Sequence, residues 1–231
     1  MLDYRLSPLG DSALLVQLDA ALPATELAAA TAALCALPGC LDAVPAYTTV
    51  TLHFDPLDLP HPEAHFTPLI DGALAALQKT PTPAPGRLVR LPVCYHPSLG
   101  PDLAEVAAHC GLSVEALVAR HSAPEYRVRF LGFAPGFPFL EGLDPALATP
   151  RRATPRTQVA AGSVGIAGAQ TGVYPLASPG GWQLIGQTPC PLVDFDRPRP
   201  TALEPGDRLK FEPISLAQFE QMTERAPWPA G

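Results

Sequence analysis

Residues 129–189 read RFLGFAPGFPFLEGLDPALATPRRATPRTQVAAGSVGIAGAQTGVYPLASPGGWQLIGQTP, a stretch that holds ten of the eighteen glycines and four of the thirteen arginines. Glycine serves where the backbone takes φ > 0 or comes close to another group, and proline fixes φ. Their dense alternation therefore specifies backbone shape more than packing volume. From Thr157 to Val193 there is no Asp, Glu, Lys or Arg, while hydroxyls and amides recur at Ser163, Gln170, Thr171, Tyr174, Ser178, Gln183, Gln187 and Thr188. The combination predicts short buried strands and tight loops around a polar, neutral pocket, with the arginines of PRRATPR (150–156) at its entrance.

Outward from this stretch, short strands with turn signals about every ten residues continue to Lys210-Phe211, a spacing that favours a barrel or sandwich over a βαβ sheet. Upstream, residues 87–95 read as a strand, and Gly100-Pro101-Asp102 opens a helix that Gly111 stops. Ser113 caps another helix running to about His121. Strand 126–133 is expected to alternate Arg127 and Arg129 against Val128 and Phe130. A last helix covers 216–225. Nearer the N-terminus, strands at 2–7 and 12–18, a helix at 24–37, strands at 41–44 and 47–54, and a helix at about 63–79 give the order ββαββα. That order predicts a small sheet with helices on one face. TPTPAPG (80–86) carries three prolines and cannot continue a helix, so the expected organisation is an α+β domain over 1–80, a linker at 81–86 and a second domain over 87–231.

A net charge of −7, a pI near 5.3 and the absence of a basic block exclude the electrostatic footprint of a nucleic-acid binder. Apolar runs are interrupted well before the ~20 residues a membrane span needs, and the first residues lack a basic segment followed by an apolar one. No membrane association and a cytoplasmic location are expected. Five widely spaced cysteines without a CxxC pair argue for reduced thiols.

Arg151, Arg152 and Arg156, with Thr154 beside them, form the composition of an anion receptor, because guanidinium forks bind carboxylate or phosphate oxygens bidentately. The plainer reading is a solvated loop with one structural salt bridge. AGSVGIAGAQTG (161–172) matches neither a Walker A loop nor GxGxxG, and Ala161 stands where a GxSxG elbow at Ser163 needs glycine. A bound nucleotide would then rely on backbone N–H groups, arginines or a partner. His61 and His65 lack the HExxH order, so no metal site is expected. His96 is the best candidate for a base, against the alternative of a structural histidine. Phe130, Phe133, Phe137 and Phe139 crowd the Ala134-Pro135-Gly136 turn, mostly as core, with a hydrophobic wall or partner surface as the alternative. Trp182 is read as a buried anchor first and a pocket wall second.

The run FLGFAPGFPFL, followed by GLDP, PRRATPRT, AGSVGIAG and QTGVYPLASPGGWQLIG, resembles the KipI-like family, also described as allophanate hydrolase subunit 1-like and as the B-type component of bacterial 5-oxoprolinase. The resemblance implies an N-terminal α+β domain followed by a cyclophilin-like β-barrel of the carboxyltransferase type. It also implies a part in the ATP-dependent conversion of 5-oxo-L-proline to L-glutamate, with ATP and Mg2+. The partners implied are a homologous barrel subunit and a lactamase-like subunit. On that reading Arg152, His96 and Gln170 are the catalytic candidates, and Arg151, Arg156, Thr154, Thr171, Tyr174, Ser178, Pro135 and Gly136 contact substrate or nucleotide. No complete catalytic set is visible, so the chain alone is expected to be inactive. The alternatives within the family are a non-enzymatic inhibitor of a sensor histidine kinase and a carboxyl-transfer component of a urea carboxylase-like enzyme.

Overall fold

A computed structural model describes residues 3–19, 22–79, 86–225 and 228–229, and the chain divides into two compact units, 1–85 and 86–231. The expected linker at 81–86 lies, apart from Gly86, outside the described residues.

The first unit runs β1 (Tyr4–Pro8), β2 (Ala13–Leu18), α1 (Ala24–Cys35), β3 (Asp42–Pro45), β4 (Thr49–His53) and α2 (Pro62–Leu77), the ββαββα order the sequence predicts. Its strands form an antiparallel sheet in the order β1-β2-β4-β3. Side chains on a strand alternate between faces, so Leu14, Val16 and Leu18 of β2 share one face with Val50 and Leu52 of β4. Against them pack Leu27, Ala30 and Leu34 of α1 and Phe66, Ile70 and Leu74 of α2, residues spaced three or four apart. Both helices therefore cover the same face.

The second unit contains β5 (Leu88–Cys94), α3 (Leu103–His109), α4 (Val114–Ser122), β6 (Tyr126–Leu131), β7 (Pro138–Glu141), β8 (Arg156–Val159), β9 (Ser163–Ala167), β10 (Gln170–Val173), β11 (Ser178–Gly180), β12 (Gln183–Gln187), β13 (Arg208–Ile214) and α5 (Leu216–Thr223). Seven of the strands close a barrel in the order β10-β7-β6-β13-β5-β12-β9, while β8 and β11 pair as a separate ribbon. The barrel has one parallel seam, β5 against β13, running from Leu88↔Arg208 to Cys94↔Ile214. Val89, Leu91, Val93, Val164, Ile166, Ile185, Leu209 and Phe211 belong to its apolar core. A smaller core of Phe137, Val159, Ala167, Tyr174, Trp182 and Leu184 joins ribbon strand β8 to the barrel wall.

Two local expectations need correction. Arg129 does not alternate outward with Arg127: it is buried and pairs with Glu141 at 3.3 Å, because the β6–β7 register shifts between Val128 and Phe130. Such an irregularity puts successive residues on the same side. Helix α3 begins at Leu103, after a turn containing Pro101, and its N-cap Asp102 does not cap it with its side chain. Ser113 does cap α4, accepting from the Ala116 N–H at 3.2 Å.

Candidate functional site

The loop after β6, the start of β7, the 151–155 loop, the residue after β10 and the end of β11 converge on a pocket of about 180 Å³ lined by Phe133, Phe137, Phe139, Arg151, Arg152, Pro155, Tyr174, Gly180, Gly181 and Trp182. Its walls are aromatic, which corrects the expectation of a polar, neutral pocket. The physical reason lies in where the polar side chains go: Ser163 and Thr171 are buried on barrel strands, and the Gln187 amide donates to the Ala161 carbonyl at 2.7 Å. Phe137 is the hub, fully buried, with ring centroids 5.3 Å from both Tyr174 and Trp182 and 5.1 Å from Phe139. The edge-to-face rings of Tyr174 and Trp182 on Phe137 are the favoured aromatic geometry.

Phe133 differs from the other rings. It is 67% exposed and takes φ 66°, the left-handed region that a bulky side chain rarely adopts. Its ring still stands edge-on to Phe137 at 5.4 Å and to Tyr174 at 6.3 Å, at the pocket rim. Held strain of this kind costs of order 1–3 kcal/mol and clusters at binding and catalytic sites. Gly136, at φ 74°, turns the chain back so that Phe137 points inward. Gly180 has no room for a Cβ, which would overlap the Tyr174 phenol oxygen.

The arginines of the loop are organised by Asp102, which is buried at the start of α3. One carboxylate oxygen accepts from Arg152 at 2.9 Å and from Arg156 at 2.7 Å; the other accepts from the Leu184 N–H at 2.7 Å. The Asp102 N–H in turn donates to the Leu184 carbonyl at 2.9 Å, and the Arg152 N–H donates to the Gly181 carbonyl at 2.8 Å. One acid thus ties together α3, β12, the 151–155 loop and the start of β8. Charge-assisted bonds of this sort are short and directional. Arg151 is exposed and makes no ion pair with a carboxylate among the described residues. Burial raises the Tyr174 phenol pKa, against the lowering effects of a backbone hydrogen bond with Trp182 and the charges of Arg151 and Arg156, so the hydroxyl stays protonated at neutral pH.

Of the residues singled out from the sequence, Arg151, Arg152 and Tyr174 line the pocket. Arg156 stands behind it on Asp102, and Thr154 is exposed on the same loop. Pro135 and Gly136 form the turn beneath Phe133 rather than the wall itself. Gln170 is half-buried at the start of β10, and Ser178 lies on β11, opposite Val159. Thr171 is in the barrel interior: its hydroxyl donates to the Gly165 carbonyl at 2.9 Å and meets His121 Nε2 at 2.9 Å. His96 is exposed in the turn after β5, with Nδ1 2.7 Å from the Ser98 hydroxyl, and it does not line the pocket. His65 contacts the Pro38 carbonyl at 2.8 Å, and no group of three or more His, Cys, Asp or Glu gathers at a metal-binding point among the described residues. Asp102 is the residue that sequence reasoning missed. Its only local signal is an acid at a helix start, and its arginine partners are 50 and 54 residues away.

Residues 4–203 match the family described as carboxyltransferase domain, subdomain C and D. The Bacillus subtilis protein named as the B subunit of 5-oxoprolinase is 39% identical over 96% of this chain and 98% of its own length. Its Escherichia coli O157:H7 counterpart, named likewise, is 48% identical over 77% of this chain and 79% of its own. Among solved structures, TTHA0988 superposes with a TM-score of 0.71 at 42% identity, covering 88% of this chain; the chain spans 40% of that protein's length. No helix among the described residues is long and apolar enough to cross a membrane. A closed barrel preceded by an α+β unit, a matching profile over residues 4–203 and near full-length relatives lead to one conclusion: the chain belongs to the family of carboxyltransferase domains, subdomains C and D.

Proposed function

We propose that this chain is the B-type component of a cytoplasmic, multi-subunit, ATP-dependent 5-oxoprolinase, opening the lactam of 5-oxo-L-proline to L-glutamate. The observation that carries this reading is the match to the Bacillus subtilis 5-oxoprolinase component over 98% of that protein's length. The chemistry of the site supports it. A lactam is a poor electrophile, and ATP, with Mg2+, supplies a phosphoryl group that makes the lactam carbon open to water. This chain's part is to bind and orient the ring: aromatic walls exclude water, and guanidinium groups hold oxygen atoms. Among the described residues the pocket brings together no nucleophile with a base, so a homologous barrel subunit and a lactamase-like subunit complete the reaction.

The test is a subunit-omission assay of glutamate release with ATP and 5-oxo-L-proline. The chain alone is expected to give no turnover, the full set of neighbouring-gene subunits to give glutamate, and the set lacking this chain to give none. Robust turnover by the isolated chain, or full turnover without it, would overturn the reading. Tight binding to a sensor histidine kinase without turnover would favour the inhibitor alternative, and dependence on biotin the carboxyl-transfer one.

A further inference from the structure

Two guanidinium groups reach the pocket, and they are chemically different. Arg152 is immobilised: its Nη1 is on Asp102 and its backbone N–H is on the Gly181 carbonyl. Its Nε is buried and has no hydrogen-bond partner among the described residues. Arg151, one residue earlier, is exposed, lines the pocket, has no carboxylate partner among the described residues, and is close enough to affect the Tyr174 phenol electrostatically. The pocket wall therefore carries one guanidinium fixed by Asp102 and one exposed cation.

Size limits the ligand. A cavity of about 150 Å³ lined by apolar side chains holds benzene, whereas drug-sized ligands take pockets of about 300–1,000 Å³. At about 180 Å³ this pocket suits a single small ring with a substituent and is too small for a nucleotide. The edge-to-face rings of Phe137, Tyr174 and Trp182 pack on one another as a single aromatic wall, and Phe133 stands at its rim.

We propose that the pocket is the receptor for a five-membered cyclic carboxylate, with the ring against the aromatic wall, the ring carbonyl oxygen accepting from the Arg152 guanidinium and the carboxylate on Arg151, and that the nucleotide is held outside it. The identity of the ring as 5-oxo-L-proline rests on the oxoprolinase reading; the size and polarity of the ligand rest on the pocket. Arg151 is a substrate-binding residue in this arrangement, while Asp102 is a positioning residue that acts through Arg152.

The experiment measures KM for 5-oxo-L-proline and for ATP in the assembled complex carrying wild-type chain, Arg151→Ala or Arg151→Lys. Loss of one charge-assisted contact corresponds to about tenfold or more in affinity. Arg151→Ala is expected to raise the KM for 5-oxo-L-proline by at least about tenfold, with the KM for ATP within twofold and Arg151→Lys partly restoring affinity. An active complex whose 5-oxo-L-proline KM ignores Arg151→Ala overturns the site assignment and leaves the functional reading standing. A complex without any oxoprolinase turnover removes the functional reading instead. The full chain is then titrated with 5-oxo-L-proline and other five-membered ring carboxylates: binding weakened by Arg151→Ala upholds the site, and absent or unaffected binding overturns it.

Discussion

Asp102 lies at the start of α3, yet its side chain serves distant partners: two guanidinium groups and the Leu184 N–H. With the carboxylate buried and Arg152 and Arg156 largely covered, removing the negative charge leaves two cations packed against each other without compensation. Breaking such a pair costs about 3–5 kcal/mol, far more than a surface salt bridge. Asp102→Asn should therefore lower unfolding stability by about 3 kcal/mol in urea melts. Less than 1 kcal/mol would mean that Leu184 and the loop backbone hold the site without the charge. The sequence singles the arginines out because Arg151 and Arg152 are consecutive and all three lie beside prolines or one residue from them. It hides their counter-ion, because that contact exists only once β12 is laid beside α3. The same holds for Phe137 and Phe133: four phenylalanines crowd one segment, and only the turn at Gly136 decides which is buried and which stands at the rim.

At the scale of elements, α4 is fastened to the barrel by His121, fully buried, stacked on Phe211 of β13 and bonded to Tyr95 and to Thr171 of β10. Thr171 donates to the Gly165 carbonyl, so it accepts from His121 Nε2–H; Nδ1 then accepts from the Tyr95 hydroxyl at 2.8 Å. The imidazole is thus held neutral, and burial pushes its pKa down to about 3. Below about pH 6.5 the unfolded chain takes up a proton that the folded barrel refuses. Stability from this group is present above that pH and is lost as pH falls toward the folded value, about 2 kcal/mol at pH 5 relative to pH 8. His121→Gln should flatten the stability difference between pH 8 and pH 5 by that amount in denaturant titrations; an unchanged slope would place the acid sensitivity elsewhere. Strand spacing and the cap at Ser113 make these elements legible in the sequence. The closure of the barrel is not legible, because the parallel β5–β13 seam joins residues about 120 positions apart, and no local pattern encodes that pairing or the irregularity that buries Arg129.

At the scale of the whole molecule, each unit has its own apolar core, and the aromatic pocket belongs wholly to the second. On the proposed reading the pocket binds and orients a ring, and among the described residues it brings together no nucleophile–base pair, which is why turnover is assigned to an assembly. The most direct measurement is the fluorescence of Trp182, a wall of the pocket, in a Trp228→Phe chain that leaves it as the sole indole. Titration with 5-oxo-L-proline, in the chain alone and in the reconstituted complex, should give a saturable change in emission. L-proline, which lacks the ring carbonyl, and ATP should give none at the same concentrations. No response to 5-oxo-L-proline from a complex that still converts it to glutamate would contradict the placement of the lactam in this subunit.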